Sequence, residues 1–453
     1  MITKTKPWKH QQEAYDFCIN KPAVGIFMDM GTGKSKVAID LIVNRNNQKI
    51  LLVCPKRVIK VWPKQFYIHS DGINVIPLVK GTGTDKAKLV KEYKGPYPVV
   101  FVTNYDLIWR EPFKTVLRGY GFDCVVIDES HRAKKAGGKA SRFLHLLGKI
   151  TPWKIALSGT PMAHSPLDVY GQYRFLDDTI FGTNYDKFEK RYAEINPYTY
   201  KKTYLNQEEL SDKVYSIAFR VLADDVLDIP DPIEQNYEVE LPPPLMKVYK
   251  LLEKKSVLDT QNGLIAVNNS LAQFTRMHQL TSGLSLDGLG GTSRIDSSKA
   301  GMLADILEDL PIKEPIVIFA KFVGDLDIIK EVCEKSGRFY SEVSGRIDEL
   351  EIWQEGRTDV VGVQIQSGSE GEDYTRSRYA IYYSLGFSLT HYLQSRARID
   401  RPGQLYSPVF IHILASKTID MKIMQALREN KEVIDYIMDE YQKGKFEEEG
   451  SLC

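Results

Sequence analysis

The sequence predicts an α/β protein made of two units, each built on a parallel sheet covered by helices. Two series of short, almost continuous apolar segments alternate with helical patterns. Strands that are apolar throughout are typical of parallel sheets, in which both faces are buried. At 453 residues the chain is also too long for one hydrophobic core. We therefore expect an α/β architecture with two sheet-containing units.

The apolar segments give the predicted strands. The first series consists of Val24–Phe27, Ile50–Cys54, Val99–Val102, Cys124–Ile127 and Lys154–Leu157. The second series consists of Pro315–Phe319, Val360–Val363, Tyr379–Tyr383 and Pro408–Leu414. Helical segments such as residues 35–45 supply the crossovers that parallel strands require.

The material between the two series is polar, rich in aromatic residues and mostly helical in pattern, and it ends in a Gly/Ser-rich stretch. We predict a first lobe over residues 1–222, with a helical protrusion at about 183–220. A helical insertion and linker follow over 223–297, and a second lobe covers 298–453.

Composition limits the function classes. Hydrophobic residues make up 43% and charged residues 26%, which is typical of globular proteins. No apolar run is long enough to span a bilayer, and the N-terminus lacks the apolar core of a signal peptide. The five cysteines have no C-x-x-C spacing, which disfavours a zinc site. We expect a cytoplasmic protein without a membrane partner, in a bacterial or phage-infected cell.

A glycine-rich loop follows the first predicted strand and opens a helix. Residues 28–35 read Met-Asp-Met-Gly-Thr-Gly-Lys-Ser. Gly31 and Gly33 let backbone N–H groups turn toward phosphate oxygens at the helix N-terminus. Lys34 is placed to reach the β- and γ-phosphates, and the hydroxyl of Ser35 to bind Mg²⁺. The pattern predicts an ATP site, although a chance glycine-rich turn is the alternative.

Two details of this region bear on that alternative. The complete phosphate-loop pattern has glycine where this chain has Met28. Downstream, the apolar segment at 124–127 is followed directly by Asp128 and Glu129. Asp128 is placed to hold Mg²⁺, and Glu129 to orient or deprotonate the attacking water. A solvated turn at the end of a strand is the other reading of this acidic pair.

The Asp-Glu-Ser-His run at 128–131, together with the Gly-Thr-Gly-Lys-Ser loop, resembles the motor core of superfamily 2 helicases. The spacing Q-x-x-x-R-x-x-R-x-G-Q at 394–404 resembles the Swi/Snf branch, in a compact bacterial or phage form. Further matching segments, in chain order, are residues 8–11, 53–56, 102–105, 157–161 and 368–373. The 368–373 segment departs from the branch at Ser369, Glu372 and Asp373. The resemblance implies two RecA-like lobes that use ATP and Mg²⁺.

The resemblance also implies roles for individual residues. Arg398 and Arg401 are the implied catalytic arginines, which would stabilise charge on the transferring phosphoryl group. Implied ATP-binding residues are Gln11, Met30, Gly31, Thr32, Gly33, Lys34, Ser35, Glu370 and Asp373. Residues implied to couple hydrolysis to movement are His131, Ser158, Thr160 and Gln394. A solvated helix face is the alternative reading of the arginines.

The implied partner is DNA, duplex or branched, bound without sequence specificity through its phosphates. Candidate contacts are Lys56, Arg57, Thr103, Tyr105, Lys321 and Ser367. The resulting hypothesis is an ATP-dependent DNA translocase. Alternatives are a strand-separating DNA or RNA helicase, the motor subunit of a restriction or defence complex, and a noncatalytic nucleic-acid-binding protein. The sequence does not identify a protein partner.

Overall fold

The chain forms two compact units, Met1–Asp228 and Ile229–Cys453. The computed structural model describes residues 1–162, 165–196, 202–226, 231–259, 265–286, 292–295, 298–368, 372–402, 404, 406–431, 433 and 436–437. Within these ranges, none of the helices combines the length and hydropathy that a membrane crossing requires.

The first unit is built on a seven-stranded parallel sheet in the order β11-β2-β8-β7-β3-β6-β5. Its sheet strands are β2 (Ala23–Met28), β3 (Lys49–Cys54), β5 (Asn74–Pro77), β6 (Val99–Asn104), β7 (Cys124–Asp128), β8 (Trp153–Leu157) and β11 (Ala218–Val221). Two small antiparallel pairs join β1 (Ile2–Thr3) to β4 (Ser70–Asp71) and β9 (Ala193–Ile195) to β10 (Lys202–Tyr204).

Helices lie between these strands. They are α1 (Lys9–Cys18), α2 (Lys34–Asn44), α3 (Val61–His69), α4 (Gly83–Lys91), α5 (Phe113–Gly119), α6 (Lys139–Gly148), α7 (Val169–Leu176), α8 (Asp178–Phe181), α9 (Tyr185–Tyr192), α10 (Gln207–Tyr215) and α11 (Ala223–Val226). Short 3₁₀ turns occupy Lys56–Lys60, Ser130–Ala133 and Pro166–Asp168.

The first sheet is buried on both faces. Along β3, Leu51 and Val53 belong to one apolar cluster, whereas Ile50 and Leu52 belong to another. All four side chains are inaccessible to solvent. Because side chains alternate along a strand, a strand that is apolar throughout supplies both layers. This explains why the central strands carry the clearest sequence signal.

The second unit contains a six-stranded parallel sheet in the order β12-β19-β18-β15-β17-β16. Its strands are β12 (Ile233–Val239), β15 (Ile316–Ala320), β16 (Tyr340–Val343), β17 (Val360–Gln364), β18 (Tyr379–Tyr382) and β19 (Val409–Ala415). The hairpin β13 (Leu284–Leu286) and β14 (Thr292–Arg294) stands apart from it. The helices are α12 (Pro243–Asp259), α13 (Ile265–Ser282), α14 (Ser298–Asp309), α15 (Val323–Lys335), α16 (Leu350–Gln354), α17 (Ile365–Gly368), α18 (Leu389–Arg396) and α19 (Ile419–Arg428).

The predicted fold class is confirmed, because each unit has a parallel sheet whose central strands are the predicted apolar segments. Two stretches differ in detail from the predicted helical pattern. The 183–220 protrusion contains the β9/β10 pair as well as helices, and it ends in β11. Residues 223–297 contain β12, an edge strand of the second sheet.

Candidate nucleotide site

Three loops of the first unit meet at one edge of its sheet. In the strand order, β8 lies between β2 and β7, and all three strands run parallel. The segments that follow them therefore leave the sheet at the same edge. These segments are the glycine-rich loop, the Ser-Gly-Thr-Pro run at 158–161 and the Asp-Glu-Ser-His run. Chain topology thus brings three of the predicted motifs together.

The glycine-rich loop has the backbone conformation that its glycines permit. Gly31 and Gly33 have φ values of 80° and 86°, and Gly33 is the N-cap of α2. These left-handed values strain any residue with a Cβ. A Cβ on Gly33 would also lie 2.2 Å from Nε2 of Gln11. The backbone torsion therefore favours glycine at position 33, and any larger residue would also displace the end of the Gln11 side chain.

Lys34 folds back over this loop. Its Nζ donates to the carbonyl oxygens of Met28, at 2.7 Å, and of Asp29, at 3.0 Å. Met28 is the buried last residue of β2, so its backbone carbonyl rather than its side chain faces the lysine. A Cβ placed on Gly159 would lie 3.7 Å from Lys34 Nζ. The ammonium group is thus held between the glycine-rich loop and the segment after β8.

Gln11, one of the implied ATP-binding residues, contacts the same loop. Gln11 Nε2 donates to the carbonyl oxygen of Thr32 at 3.1 Å, and Gln11 Oε1 accepts from the backbone N–H of Trp8 at 3.0 Å. Nε2 of His10 lies 2.8 Å from the same Thr32 oxygen. Thr32 Oγ1 donates to the Asp29 carbonyl at 2.6 Å. The start of α1 therefore fixes the far side of the loop.

Asp128 ends β7 in an enclosed position. Its Oδ2 accepts from Trp62 Nε1 at 3.1 Å, and its Oδ1 from the backbone N–H of Glu129 at 2.9 Å. Burial and the neighbouring Glu129 raise the pKa of Asp128 to about 7, although Lys34 and the Trp62 hydrogen bond act in the opposite direction. A carboxylate with this environment gains from a nearby cation. That is what a magnesium site requires.

Glu129 adopts a left-handed backbone, with φ 52°. Its Oε2 is buried, accepts no hydrogen bond among the described residues and lies 3.4 Å from His131 Nδ1. The same His131 nitrogen lies 3.4 Å from Ser158 Oγ, which in turn accepts from the Thr160 N–H at 3.1 Å. The acidic run and the Ser-Gly-Thr-Pro run are therefore linked through His131. A buried carboxylate oxygen with no donor suits a group that binds water.

The first-unit residues fit a magnesium nucleotide. The positive φ of Gly33 favours glycine at the position where phosphate-binding loops turn their N–H groups toward the ligand. Lys34 offers the ammonium group, and Asp128 offers a carboxylate whose raised pKa favours a cation partner. Met30, Gly31 and Ser35 lie in the same loop and first turn of α2.

In the second unit, the three arginines of the 394–404 segment differ in their position relative to α18. Arg396 ends α18, pairs with Glu234 of β12, and places its guanidinium 4.1 Å from the centre of the Phe410 ring. These contacts give Arg396 a structural role within the unit. Arg398 and Arg401 lie beyond the helix, in the 397–402 turn. The predicted catalytic pair is thus separate from the arginine that anchors the helix.

Asp373 lies close to both of these arginines. Burial acts to raise its pKa, but hydrogen bonds from Thr375 and the charges of Arg401 and Arg398 hold that pKa below the usual value. The side chain of Gln394 is buried, and its Oε1 accepts no hydrogen bond among the described residues. Glu370 lies outside the described residues.

The structure corrects two predicted DNA contacts. Thr103 is in β6 with 0% exposure, and its Oγ1 is enclosed in the core. Tyr105 is 5% exposed, and its hydroxyl donates to the Asp128 carbonyl at 2.7 Å. The Thr103 side chain is inaccessible to a phosphate, and the Tyr105 hydroxyl is already used within the unit. Tyr105 instead supports the end of β7. The sequence pattern, an apolar strand followed by polar residues, is the same for a residue that contacts DNA and for one that supports a neighbouring strand.

The other predicted DNA contacts are placed differently. Lys56 is exposed and Arg57 partly exposed in the 3₁₀ turn after β3. Burial, and then the charge of Lys56, lower the pKa of Lys86, which indicates a concentration of positive charge. Lys321 is partly buried after β15, and burial lowers its pKa. Ser367 is in α17, and its side chain lies outside the described part.

Sequence reasoning missed one buried side chain at this site. Gln172 of α7 is fully buried and bonds both to Ser130 and to the carbonyl of Pro161. Gln172 lies among the aromatic residues of α7 and belongs to no motif with a recognisable spacing. Its position in an otherwise apolar helix face was the available signal.

Comparison with known proteins gives the family. The family model of the SNF2-related domain matches residues 10–283, more than half of the chain. A phage protein, the putative protein p41 of Acyrthosiphon pisum secondary endosymbiont phage 1, is 24% identical over 91% of this chain and 94% of its own length. The mouse DNA annealing helicase and endonuclease ZRANB3 is 23% identical over 95% of this chain.

The chain spans 40% of that mouse protein, and 27% and 61% of two other relatives, from Arabidopsis thaliana and Caenorhabditis elegans. The Hef helicase domain of Pyrococcus furiosus has a similar fold, with a TM-score of 0.56 and 14% identity over 93% of this chain and 98% of that domain. The resemblance that the motifs indicated is therefore confirmed, and the chain belongs to the SNF2-related family.

Proposed function

We propose that this chain is an ATP-dependent DNA motor, a nucleic-acid-stimulated ATPase that moves along or remodels duplex or branched DNA. The observation that carries the proposal is the assembly of Lys34, Asp128 and Glu129 at one sheet edge. A relative supports the choice of DNA as the partner, because the similar mouse protein is named a DNA annealing helicase. ATP and Mg²⁺ are the proposed cofactors.

Each residue has a separate task. Lys34 and the loop N–H groups bind phosphate oxygens, while Ser35 and Asp128 hold the metal ion. ATP would supply the phosphoryl group that is transferred to water, and Mg²⁺ would neutralise charge on its oxygens. Glu129 orients that water and accepts its proton. The buried Oε2 of Glu129, which accepts no hydrogen bond from the part of the chain that the structure describes, supports this assignment.

Arg398 and Arg401 are the proposed catalytic arginines. A guanidinium that stabilises charge on the transferring group accelerates hydrolysis by roughly 10³- to 10⁵-fold in related chemistry. Asp373 supports this assignment, because its negative charge lies near both arginines.

The proposed DNA contacts are Lys56, Arg57, Lys321 and Ser367. Contacts to phosphates give affinity without sequence information, so binding should weaken steeply as salt rises. The exposed Lys56 and the nearby charge of Lys86 support a phosphate track on the first unit. A dissociation constant for duplex DNA that did not change with salt would contradict this track.

The test is ATP turnover with a panel of nucleic acids: duplex, forked and single-stranded DNA, and RNA. We expect duplex or forked DNA to stimulate turnover most. Stimulation by single-stranded DNA or RNA alone would instead favour a strand-separating helicase. Absence of any stimulation would contradict the proposed motor.

Two substitutions test the site directly. Lys34→Ala should abolish productive use of ATP, because it removes the phosphate-binding cation. Glu129→Gln should still bind nucleotide but lower turnover by about 100-fold, within the range given by removal of a general base. Nucleotide binding by fluorescence and steady-state turnover separate the two effects. Unchanged turnover in Glu129→Gln would contradict the proposed role of the carboxylate.

A further inference from the structure

A buried glutamine joins two of the motifs at the nucleotide site. Gln172 lies in α7 and has 0% exposure. Its Oε1 accepts from Ser130 Oγ at 2.6 Å, and its Nε2 donates to the Pro161 carbonyl at 2.7 Å and to the Asp168 carbonyl at 3.1 Å. The carbonyl partners can only accept, so the orientation of the amide is fixed. Both amide hydrogens are used.

The backbone of α7 also contacts the acidic run directly. A Cβ on Gly171 would lie 2.0 Å from the Ala133 carbonyl oxygen and 2.8 Å from that of Lys134. The helix therefore packs against the turn that follows Ser130 without an intervening side chain. Movement of this turn must move α7, or break the contact, because packed elements are not freely deformable.

These contacts tie the segment after β8 to the acidic run at both of its ends. Ser158 lies within 3.4 Å of His131, and Pro161 is bonded to Gln172, which is bonded to Ser130. Ser130 is flanked in the chain by Glu129 and His131. A change at the 158–161 segment is thus transmitted to the residue next to the proposed general base.

We propose that Gln172 is a positioning residue that couples nucleic-acid binding to ATP hydrolysis by holding the 158–161 segment in register with Ser130. This inference rests on the proposed ATPase function. Gln172 acts through Ser130 and Pro161, with no direct role in the chemistry. Its loss leaves a buried hydroxyl and a buried carbonyl each short of one partner. The two segments then move separately.

The test is Gln172→Met, which keeps the length of the side chain and removes both polar atoms. Turnover without nucleic acid and KM for ATP should stay within about twofold of wild type, whereas turnover with saturating duplex DNA should fall about tenfold, the effect expected from a broken buried hydrogen-bond pair. Equal losses with and without DNA would overturn the coupling role. Full retention of DNA stimulation would overturn it as well.

The matched control is Tyr173→Phe. Tyr173 is the next residue of α7, and its buried hydroxyl donates to the Val214 carbonyl, away from both motifs. This variant should lose stability in thermal melts while keeping its stimulation by DNA. A similar loss of stimulation in Tyr173→Phe would overturn the inference, because general loosening of α7 would then explain both variants.

A double-mutant cycle with Ser130→Ala keeps the proposal testable if Gln172→Met folds poorly. When the two residues act through their mutual bond, the double variant loses no more DNA stimulation than the worse single variant. Additive losses would overturn the linkage. Wild-type protein that shows no stimulation by any nucleic acid would contradict the proposed function itself, whereas normal wild-type stimulation with unaltered variants would contradict only the role of Gln172.

Discussion

At the scale of single residues, burial has the largest effect on the pKa of an enclosed carboxyl group such as that of Asp325. Asp325 of α15 is inaccessible to solvent, accepts hydrogen bonds from Ser384 and from the Phe322 N–H, and has no donor for its Oδ1 among the described residues. Burial, with Asp420 nearby, raises the pKa of Asp325 to about 7, against the hydrogen bonds and the charge of Lys299. In the unfolded chain an aspartate has its ordinary pKa, near 4.

This raised pKa predicts how stability depends on pH. Between pH 4 and pH 7 the folded state keeps a proton on Asp325 that the unfolded state has lost, so stability falls as pH rises through that window. Asp325→Asn removes this group from the balance. The stability of the variant relative to wild type should therefore increase by about 2 kcal/mol from pH 5 to pH 8. Thermal melts at the two pH values measure it.

The sign of this change is the critical result. A difference in stability between variant and wild type that did not change with pH would mean that the pKa of Asp325 is the same in the folded and unfolded chain. If the stability of the variant relative to wild type fell from pH 5 to pH 8, folding would instead favour the charged form of Asp325.

At the scale of elements, the strands that the sequence did not predict are sheet edges. In the first sheet these are β5 and β11, and in the second they are β12 and β16. An edge strand has one neighbour, and β12 exposes most of its side chains, so its sequence is not apolar throughout. The central strands were predictable because burial on two faces leaves one type of sequence.

Close helix packing gives a test at this scale. Gly171→Ala would place a Cβ 2.0 Å from a backbone oxygen, which neither element can avoid by rotating a side chain. We expect a loss of about 3 kcal/mol of stability, because overpacking of this kind forces the backbone to move. The measurement is chemical unfolding of the purified variant.

The control is Gly301→Ala in α14, where no atom lies within 4 Å of the new Cβ. That variant should be unchanged or stabilised by about 0.5–1 kcal/mol, since alanine favours the helix. Gly171→Ala with the stability of wild type would show that the contact between α7 and the 130–133 turn is not tight.

At the scale of the whole molecule, the sequence was most informative where backbone chemistry demands particular residues. Gly31, Gly33 and Lys34 were recognisable because a phosphate loop needs positive φ values and a cation at fixed spacing. Tyr105 was misassigned because a buried hydroxyl at a strand end has no such signature. Gln172 was missed because its partners are brought together by tertiary structure alone.

The central proposal is that Arg401 assists the hydrolysis of ATP. Arg396 offers a matched comparison, because its pairing with Glu234 and Phe410 assigns it to the structure of the second unit. Arg396→Ala should lower the melting temperature. Arg401→Ala should leave the melting temperature unchanged and lower turnover instead.

The most direct measurement is DNA-stimulated ATP turnover of Arg401→Ala, made together with its dissociation constant for ATP. We predict turnover at least about 1,000-fold below wild type, the lower end of the effect of such arginines, with nucleotide affinity within a few-fold of wild type. Turnover that matches wild type, or affinity lost in the same proportion as turnover, would contradict the proposed role of Arg401 in hydrolysis.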